Sequence, residues 1–226
     1  GTAAGTYTAW AESVGDLTGC VSATRTLVTL TINALPAAPT AVNVTTCYDG
    51  ASHSATATAP VGSSVVWYDN SIGGNLTTAP TGTAVGIYNA WAVSVNTTTG
   101  CQSAAPRTEV TLTINTLPSA PTANNEVFCY DGASHSASAT PPAGASVVWY
   151  DNAIGGNLTT APTGTAVGVY TAWAESVYGA SSCSSDSRTQ VTLTSNPLPT
   201  QFNVTGGGSY CAGDAGALVG LSGSQS

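Results

Sequence analysis

The segment Cys47-Tyr48-Asp49-Gly50-Ala51-Ser52-His53-Ser54 returns in full as Cys129-Tyr130-Asp131-Gly132-Ala133-Ser134-His135-Ser136. Ungapped comparison of residues 47–101 with 129–183 gives 42 identities in 55 positions. Self-similarity at one fixed period means that a single fold, repeated, must account for the whole chain. Trp67 and Trp91 recur as Trp149 and Trp173, and Cys211 follows Cys129 at the same spacing as Cys129 follows Cys47. The opening residues fit the same phase, Tyr7 and Trp10 matching Tyr88 and Trp91. Residues 1–36 are therefore the C-terminal half of a repeat, 37–118 and 119–199 are whole repeats, and 200–226 start another that diverges after Cys211. Both ends cut through a repeat. Either the sequence is a window on a longer chain, or neighbouring subunits complete each other's half-repeats by strand exchange in a filament.

The phase also orders the cysteines. Cys47 and Cys101 have the same separation as Cys129 and Cys183, while Cys20 and Cys211 have no phase partner in this window. In an exported protein the natural expectation is one disulfide inside each repeat, Cys47–Cys101 and Cys129–Cys183. Closing such a loop would contribute roughly 4 kcal/mol in the chain-entropy model. The rival use, metal binding, lacks the paired-cysteine or Cys/His spacing that it needs.

Within a repeat the pattern is of strands punctuated by turns. Alternation runs over 52–59, Ser64-Val65-Val66-Trp67-Tyr68 is a short strong strand, and 87–95 is the longest. Residues 69–74 are a turn cluster, and Asn75-Leu76-Thr77-Thr78 a short edge strand. In the last strand, 107–114, Val110, Leu112 and Ile114 share one face and Thr111 and Thr113 the other, which marks a half-buried antiparallel strand. About seven short strands per repeat predict an all-β chain of tandem immunoglobulin-like sandwiches. Trp67 suits a core tryptophan and Tyr88 a tyrosine corner. One departure is that Ala90, not cysteine, stands two residues after that tyrosine. On the long strand Tyr88, Ala90 and Ala92 are expected inward and Val93 outward, because its counterparts are Glu12 and Glu175. The connections Leu35-Pro36-Ala37-Ala38-Pro39 and Leu117-Pro118-Ser119-Ala120-Pro121 are short and stiff, which suggests a rod.

Composition removes whole classes of function. The chain has three Lys+Arg, eleven Asp+Glu, a net charge of −8 and 6% charged residues, where about 25% is usual. Three cations cannot neutralise a phosphate backbone, so nucleic acid is not the partner. No apolar run is long enough to span a membrane as a helix.

Candidate sites remain, each beside a plainer reading. Asp49, Asp131, Asp69-Asn70 and Asp151-Asn152 offer oxygen ligands for Ca²⁺, but these residues also favour turns. His53 and His135 recur at one strand end, with no nucleophile beside them in sequence; a hydrogen-bonded structural histidine is the expectation. Arg25, Arg107 and Arg188 recur before the last strand, where Asp69 is a candidate partner for Arg107. Trp10, Trp91 and Trp173 form either an aromatic platform for sugars or packing at a junction. Asn43, Asn75, Asn96, Asn157 and Asn203 open Asn-x-Thr sequences, which accept glycans only in a eukaryotic secretory pathway. No catalytic motif is present.

The strings Tyr-x-Ala-Trp-Ala-(Glu/Val)-Ser-Val, Arg-Thr-x-Val-Thr-Leu-Thr and Leu-Pro-x-x-Pro-Thr, with Val65-Val66-Trp67-Tyr68-Asp69 and Gly73-Gly74, resemble a known repeat. It is the Ig-like repeat of very large surface and secreted proteins of Bacteroidetes, including gliding-motility adhesins exported by type IX secretion. The resemblance implies a non-enzymatic stalk or fibre, extracellular and at the cell surface. Its partners would be neighbouring repeats, other copies in a filament, or surface polysaccharide. The alternatives are a carbohydrate- or partner-binding module and an accessory region of a secreted polysaccharide-degrading enzyme.

Overall fold

The computed structural model describes residues 2–224. The chain divides into two units, Gly1–Thr116 and Leu117–Ser226. Each unit is described by itself. Among the described residues there is no helix, and none is long and apolar enough to cross a membrane.

The first unit opens with a hairpin of β1 (Gly5–Ala11) and β2 (Thr26–Ile32). Its whole repeat follows as β3 (Thr40–Val42), β4 (Val44–Cys47), β5 (His53–Ser54), β6 (Thr56–Thr58), β7 (Ser63–Tyr68), β8 (Thr81–Gly82), β9 (Gly86–Asn96) and β10 (Thr108–Asn115). One layer is the four-stranded sheet β4-β10-β9-β7, and the other is built from the pairs β3-β6 and β5-β8. The second unit repeats this order as β11 (Thr122–Asn124), β12 (Glu126–Cys129), β13 (His135–Ser136), β14 (Ser138–Thr140), β15 (Ala145–Tyr150), β16 (Thr163–Gly164), β17 (Gly168–Tyr178) and β18 (Thr189–Asn196). It ends with a hairpin of β19 (Val204–Gly206) and β20 (Val219–Leu221).

The period-two pattern of the last strand places the core. Val110, Leu112 and Ile114 are buried, and Ala55 and Ala92 join them. Trp67, Tyr88, Val65, Ala41 and Ala57 pack around this cluster. Large side chains come from the four-stranded sheet and small ones from the facing layer, so the layers can approach closely. The second repeat copies the arrangement with Val191, Leu193, Ala174 and Ala137. Trp67 and Trp149 thus pack against the core, and Ala90 and Ala92 are buried as expected.

The tyrosine corner is present in all three copies. Tyr88 Oη donates to the carbonyl of Ala84 at 3.0 Å, Tyr170 to Ala166 at 3.1 Å and Tyr7 to Ala3 at 2.9 Å. The tyrosine ring lies so close over β8 that a Cβ on Gly82 would meet it at 2.4 Å. Glycine at 82 and 164 is a packing requirement, not a turn requirement.

Two expectations need correcting. Residues 52–59 are not one strand: β5 pairs with β8 and β6 with β3. Residues 75–78 form no edge strand. Leu76 makes only an isolated bridge to Tyr68, formed by the Asp69 amide on the Asn75 carbonyl and the Thr77 amide on the Trp67 carbonyl, and the pairing goes no further. Val93 faces outward yet is only 2% exposed, so the outer face is covered too. The parallel pairing of β4 with the last strand, Val44 opposite Leu112 and Cys47 opposite Asn115, was also not marked by any sequence pattern. The chain changes layers at Asn43, whose side-chain carbonyl accepts the amide of Thr111 at 2.9 Å.

Candidate functional site

The covered outer face of the long strand is the most structured polar surface of each repeat. In the first repeat Val66 lies opposite Val93, and Tyr68 opposite Trp91. The Arg107 guanidinium stacks on the Tyr68 ring at 3.4 Å from its centroid. Its Nη1 donates to the Asn70 carbonyl at 2.7 Å and also to that of Gly73. Arg107 therefore clamps the turn over the sheet and does not pair with Asp69. Asp69 instead closes its own turn: Oδ1 accepts the Asn75 amide at 2.7 Å and Oδ2 accepts Asn75 Nδ2 at 3.2 Å. These bonds, the Asn75 amide first, hold the Asp69 carboxyl below the usual carboxylate range.

The second repeat keeps this clamp and adds a charge. Arg188 stacks on Tyr150 at 3.3 Å and donates to Asn152 and Gly155 carbonyls at 2.9 and 2.6 Å. It also faces Glu175 at 3.5 Å, the two side chains 13% and 14% exposed. Arg25 pairs likewise with Glu12 at 2.8 Å. Where the first repeat has Val93, the arginine keeps only the ring and the carbonyls. On this geometry Arg107 and Arg188 hold their turns, and where an ion pair forms, at Arg188 and Arg25, its carboxylate lies on or just past the long strand and not in the turn.

The His positions sit at the head of β5 and β13. His53 Nε2 meets Asp49 Oδ1 at 2.8 Å, and the same oxygen accepts the Ala51 amide at 2.8 Å. His135 has two carboxylates, Asp131 at 3.1 Å and Glu126 at 3.4 Å, and stacks on Phe128 at 3.8 Å. The hydrogen bond to Asp131 is the main cause that raises the His135 pKa above 6.5. The Ala133 amide, followed by His135, lowers that of Asp131 below 3.8. The Asp oxygens proposed for Ca²⁺ are thus engaged in turns. Among the described residues no group of three or more His, Cys, Asp or Glu gathers as a metal site would require.

The tryptophans separate. Trp91 and Trp173 are half-buried beside Tyr68 and Tyr150, while Trp10 is 65% exposed. A concave surface also lies away from the tryptophans. A groove of about 400 Å³ runs between 159–163 and β17, lined by Thr159, Pro162, Thr163, Tyr170 and Thr171. Its counterpart in the first repeat, lined by Thr77, Pro80, Thr81, Tyr88 and Asn89, has about 220 Å³. Hydroxyl and amide groups dominate, which suits hydrogen bonding more than acid–base chemistry.

The cysteine pairing expected inside each repeat is overturned. Cys47 sits opposite Asn115, at the far end of β10. Cys101 sits at the other end, its carbonyl accepting the amide of Asn96 at 2.9 Å. The length of β9 separates Gly86, opposite Ile114, from Asn96, a span of about 33 Å at the strand rise. A disulfide needs Cα atoms within about 7 Å. Cys129, opposite Asn196, and Cys183, whose carbonyl accepts the Tyr178 amide, stand at opposite ends in the same way. Cys101 and Cys129 are free thiols, as are Cys20 and Cys211, whereas Cys47 and Cys183 are each disulfide-bonded.

Residues 118–197 match the family model described as Ig-like domain CHU_C associated. Comparison with curated proteins gives no significant match. Among solved structures, the N-terminal four Ig domains of Dscam1 isoform 4.4 align at 14% identity and a TM-score of 0.29, over 84% of this chain and 54% of that one. The chain thus spans about half the length of that relative. Human mucin-like protocadherin EC1-2 aligns at 11% identity and 0.27, over 71% and 98%. Sidekick-1 immunoglobulin domains 1–4 align at 14% and 0.24, over 87% and 67%. The Ig-like assignment rests on the family model and on the two-layer strand order of the chain itself.

Proposed function

We propose that this chain is a spacer segment of an exported bacterial surface protein: tandem Ig-like domains that carry an adhesive or catalytic part away from the cell and do no chemistry themselves. The observation that supports this reading is how closely the two whole repeats agree. Tyr68 lies opposite Trp91 and Tyr150 opposite Trp173, Val110 opposite Ala90 and Val191 opposite Ala172. The arginines, aspartates and histidines that recur are spent on holding turns and strand ends. Near-identical scaffolds, with variation left to outer positions such as 93 and 175, are what a spacer needs. The Ig-like family match and the resemblance to Bacteroidetes surface repeats support export and a cell-surface location.

Inserting one further whole repeat after residue 199 tests the reading. Small-angle scattering should show the maximum dimension growing by about 30–40 Å, the length of one sandwich. A maximum dimension that stays constant would contradict a spacer. A second reading, a polysaccharide-binding array, draws on the Thr-lined groove present in both repeats. Retention on an immobilised polysaccharide that falls when Thr81 and Thr163 are replaced by Val would favour it.

A further inference from the structure

We propose that each whole repeat carries a docking site for an extended, uncharged peptide strand of another protein, which adds to the open edge of the long strand at residues 86–90 and 168–172. The inference goes beyond the spacer reading and does not depend on it.

The register opens this edge. On β10 the amide of Thr111 donates to Asn43 Oδ1 at 2.9 Å, on the side away from β9. Thr111–Asn89 is therefore a non-hydrogen-bonded pair of the ladder, and so by alternation is Thr113–Ile87. The amides and carbonyls of Ile87 and Asn89 thus point to the opposite edge of β9. Further along, that same edge is filled: β7 pairs with β9 from Asn96 back to Trp91 and stops at Tyr68. The turn closed by Asp69 and clamped by Arg107 then carries the chain off the edge. The chain returns at 77–81 as a wall of the groove, but its own bonds lie elsewhere. Thr77 donates its amide to the Trp67 carbonyl at 3.0 Å, and the Pro80 carbonyl accepts the Ala55 amide at 3.0 Å. Among the described residues no further strand or bridge pairs with the edge at 86–90.

The second repeat is built alike. Thr192 donates its amide to Asn125 Oδ1 at 2.8 Å, so Val169 and Thr171 turn their backbone groups into the larger groove. Its wall is fixed by the Pro162 carbonyl on the Ala137 amide at 3.0 Å.

The exposed groups select the occupant. An amide and a carbonyl recur at every second residue, about 6.7 Å apart along the strand. The backbone of another strand meets that spacing with donors and acceptors in the same alternation, as β7 does on the rest of the edge. Sugar hydroxyls carry no such repeat. No charged side chain lines either groove, so a charged segment would lose hydration without a partner. Main-chain pairing supplies the affinity, as in strand addition to any free sheet edge.

Titrating the isotope-labelled 226-residue chain with acetyl-Thr-Val-Thr-Val-Thr amide, up to millimolar, tests the site by NMR. The amides of Ile87, Asn89, Val169 and Thr171 should shift saturably and exchange about tenfold more slowly at saturation. Those of Tyr88 and Tyr170, already paired with the last strand, should keep their protection. The same peptide N-methylated at every residue should produce no shift. Asn89→Pro removes a donor that faces the groove. It should abolish the response at Ile87 and leave that of Val169 and Thr171 intact, and Thr171→Pro should do the converse. Where a proline variant unfolds its repeat, the methylated peptide decides alone. Silence at the four amides, or equal binding of the methylated peptide, would overturn the proposal. So would shifts of these amides with cellohexaose and none with the peptide, which would assign the groove to polysaccharide.

Discussion

The hairpin β1–β2 and the hairpin β9–β10 have nearly the same sequence and the same register, yet different surroundings. Val28 stands opposite Ala9 as Val110 stands opposite Ala90, and Leu30 opposite Tyr7 as Leu112 opposite Tyr88. In the first hairpin Val28 and Leu30 are 53% and 54% exposed; in the second Val110 and Leu112 are both at 0%. Even the tyrosine corner forms in both. Backbone pairing and the corner are therefore local properties of the hairpin. The core is not: it needs the facing layer of β3, β6, β5 and β8, with the alanines that let it approach. A two-stranded ribbon alone is marginal in water, and burial of one face supplies most of the stability of a sandwich.

The largest expected effect sharpens that contrast. Leu112→Ala should destabilise its repeat by about 2–5 kcal/mol, the usual cost of a cavity at a fully buried leucine. In a chain that starts at Gly1, Leu30→Ala should change stability by under about 0.5 kcal/mol. Urea denaturation followed by the fluorescence of the core tryptophans measures both, and equal losses would break the comparison.

Next in size is the contact beneath the corner. A Cβ on Gly164 would lie 2.2 Å from the Tyr170 ring, so Gly164→Ala should cost about 1–3 kcal/mol through overpacking. Tyr170→Phe, which removes only the bond to Ala166, should cost about 1 kcal/mol. If the glycine substitution were neutral, thermal melts would show that the ring is not held over β16.

The two whole repeats supply a smaller contrast at 93 and 175. Glu175→Val should cost the second repeat about 1 kcal/mol, because Arg188 keeps its ring and carbonyl partners when the carboxylate goes. An unchanged midpoint in chemical denaturation would mean that the ion pair contributes nothing beyond the clamp.

The smallest effect is in pH. The pKa of His135 is raised in the folded state, mainly by Asp131. Its contribution is fully present below about 6.5 and is lost as pH rises through the folded value. The lowered pKa of Asp131 acts oppositely, its contribution present above about 3.8 and lost on acidification. Melting temperature should therefore decline slightly between about pH 6 and 8, and Glu126→Val, which removes one of the two carboxylates on His135, should flatten the decline. A steeper slope in that variant would contradict the assignment.

Local pattern made much of this legible. Alternation placed Val110, Leu112 and Ile114 on one face, spacing marked Trp67 as a core residue, and Tyr88 announced its corner. What stayed hidden depends on distance across the fold. Repeat phase makes Cys47 and Cys101 companions in sequence but says nothing of the strand length that holds them apart. Val93 reads as an outward residue, and nothing in the local pattern announces its burial. The pairing of β4 with β10 is parallel and joins residues from opposite ends of the repeat, Val44 with Leu112, so no local signal could carry it. Asp69 was a reasonable partner for Arg107 by charge, but its turn amides are nearer and better aimed.

Amide hydrogen exchange of the 226-residue chain, resolved to single residues, tests most directly the claim that a repeat is stable only when both layers close on one core. The amides of Val110 and Leu112 should exchange only through global unfolding of their repeat, with protection of about 10³-fold or more. Those of Val28 and Leu30, in the same register on a hairpin without a facing layer, should be protected roughly 100-fold less or weaker still. Equal protection in the two hairpins would contradict the account.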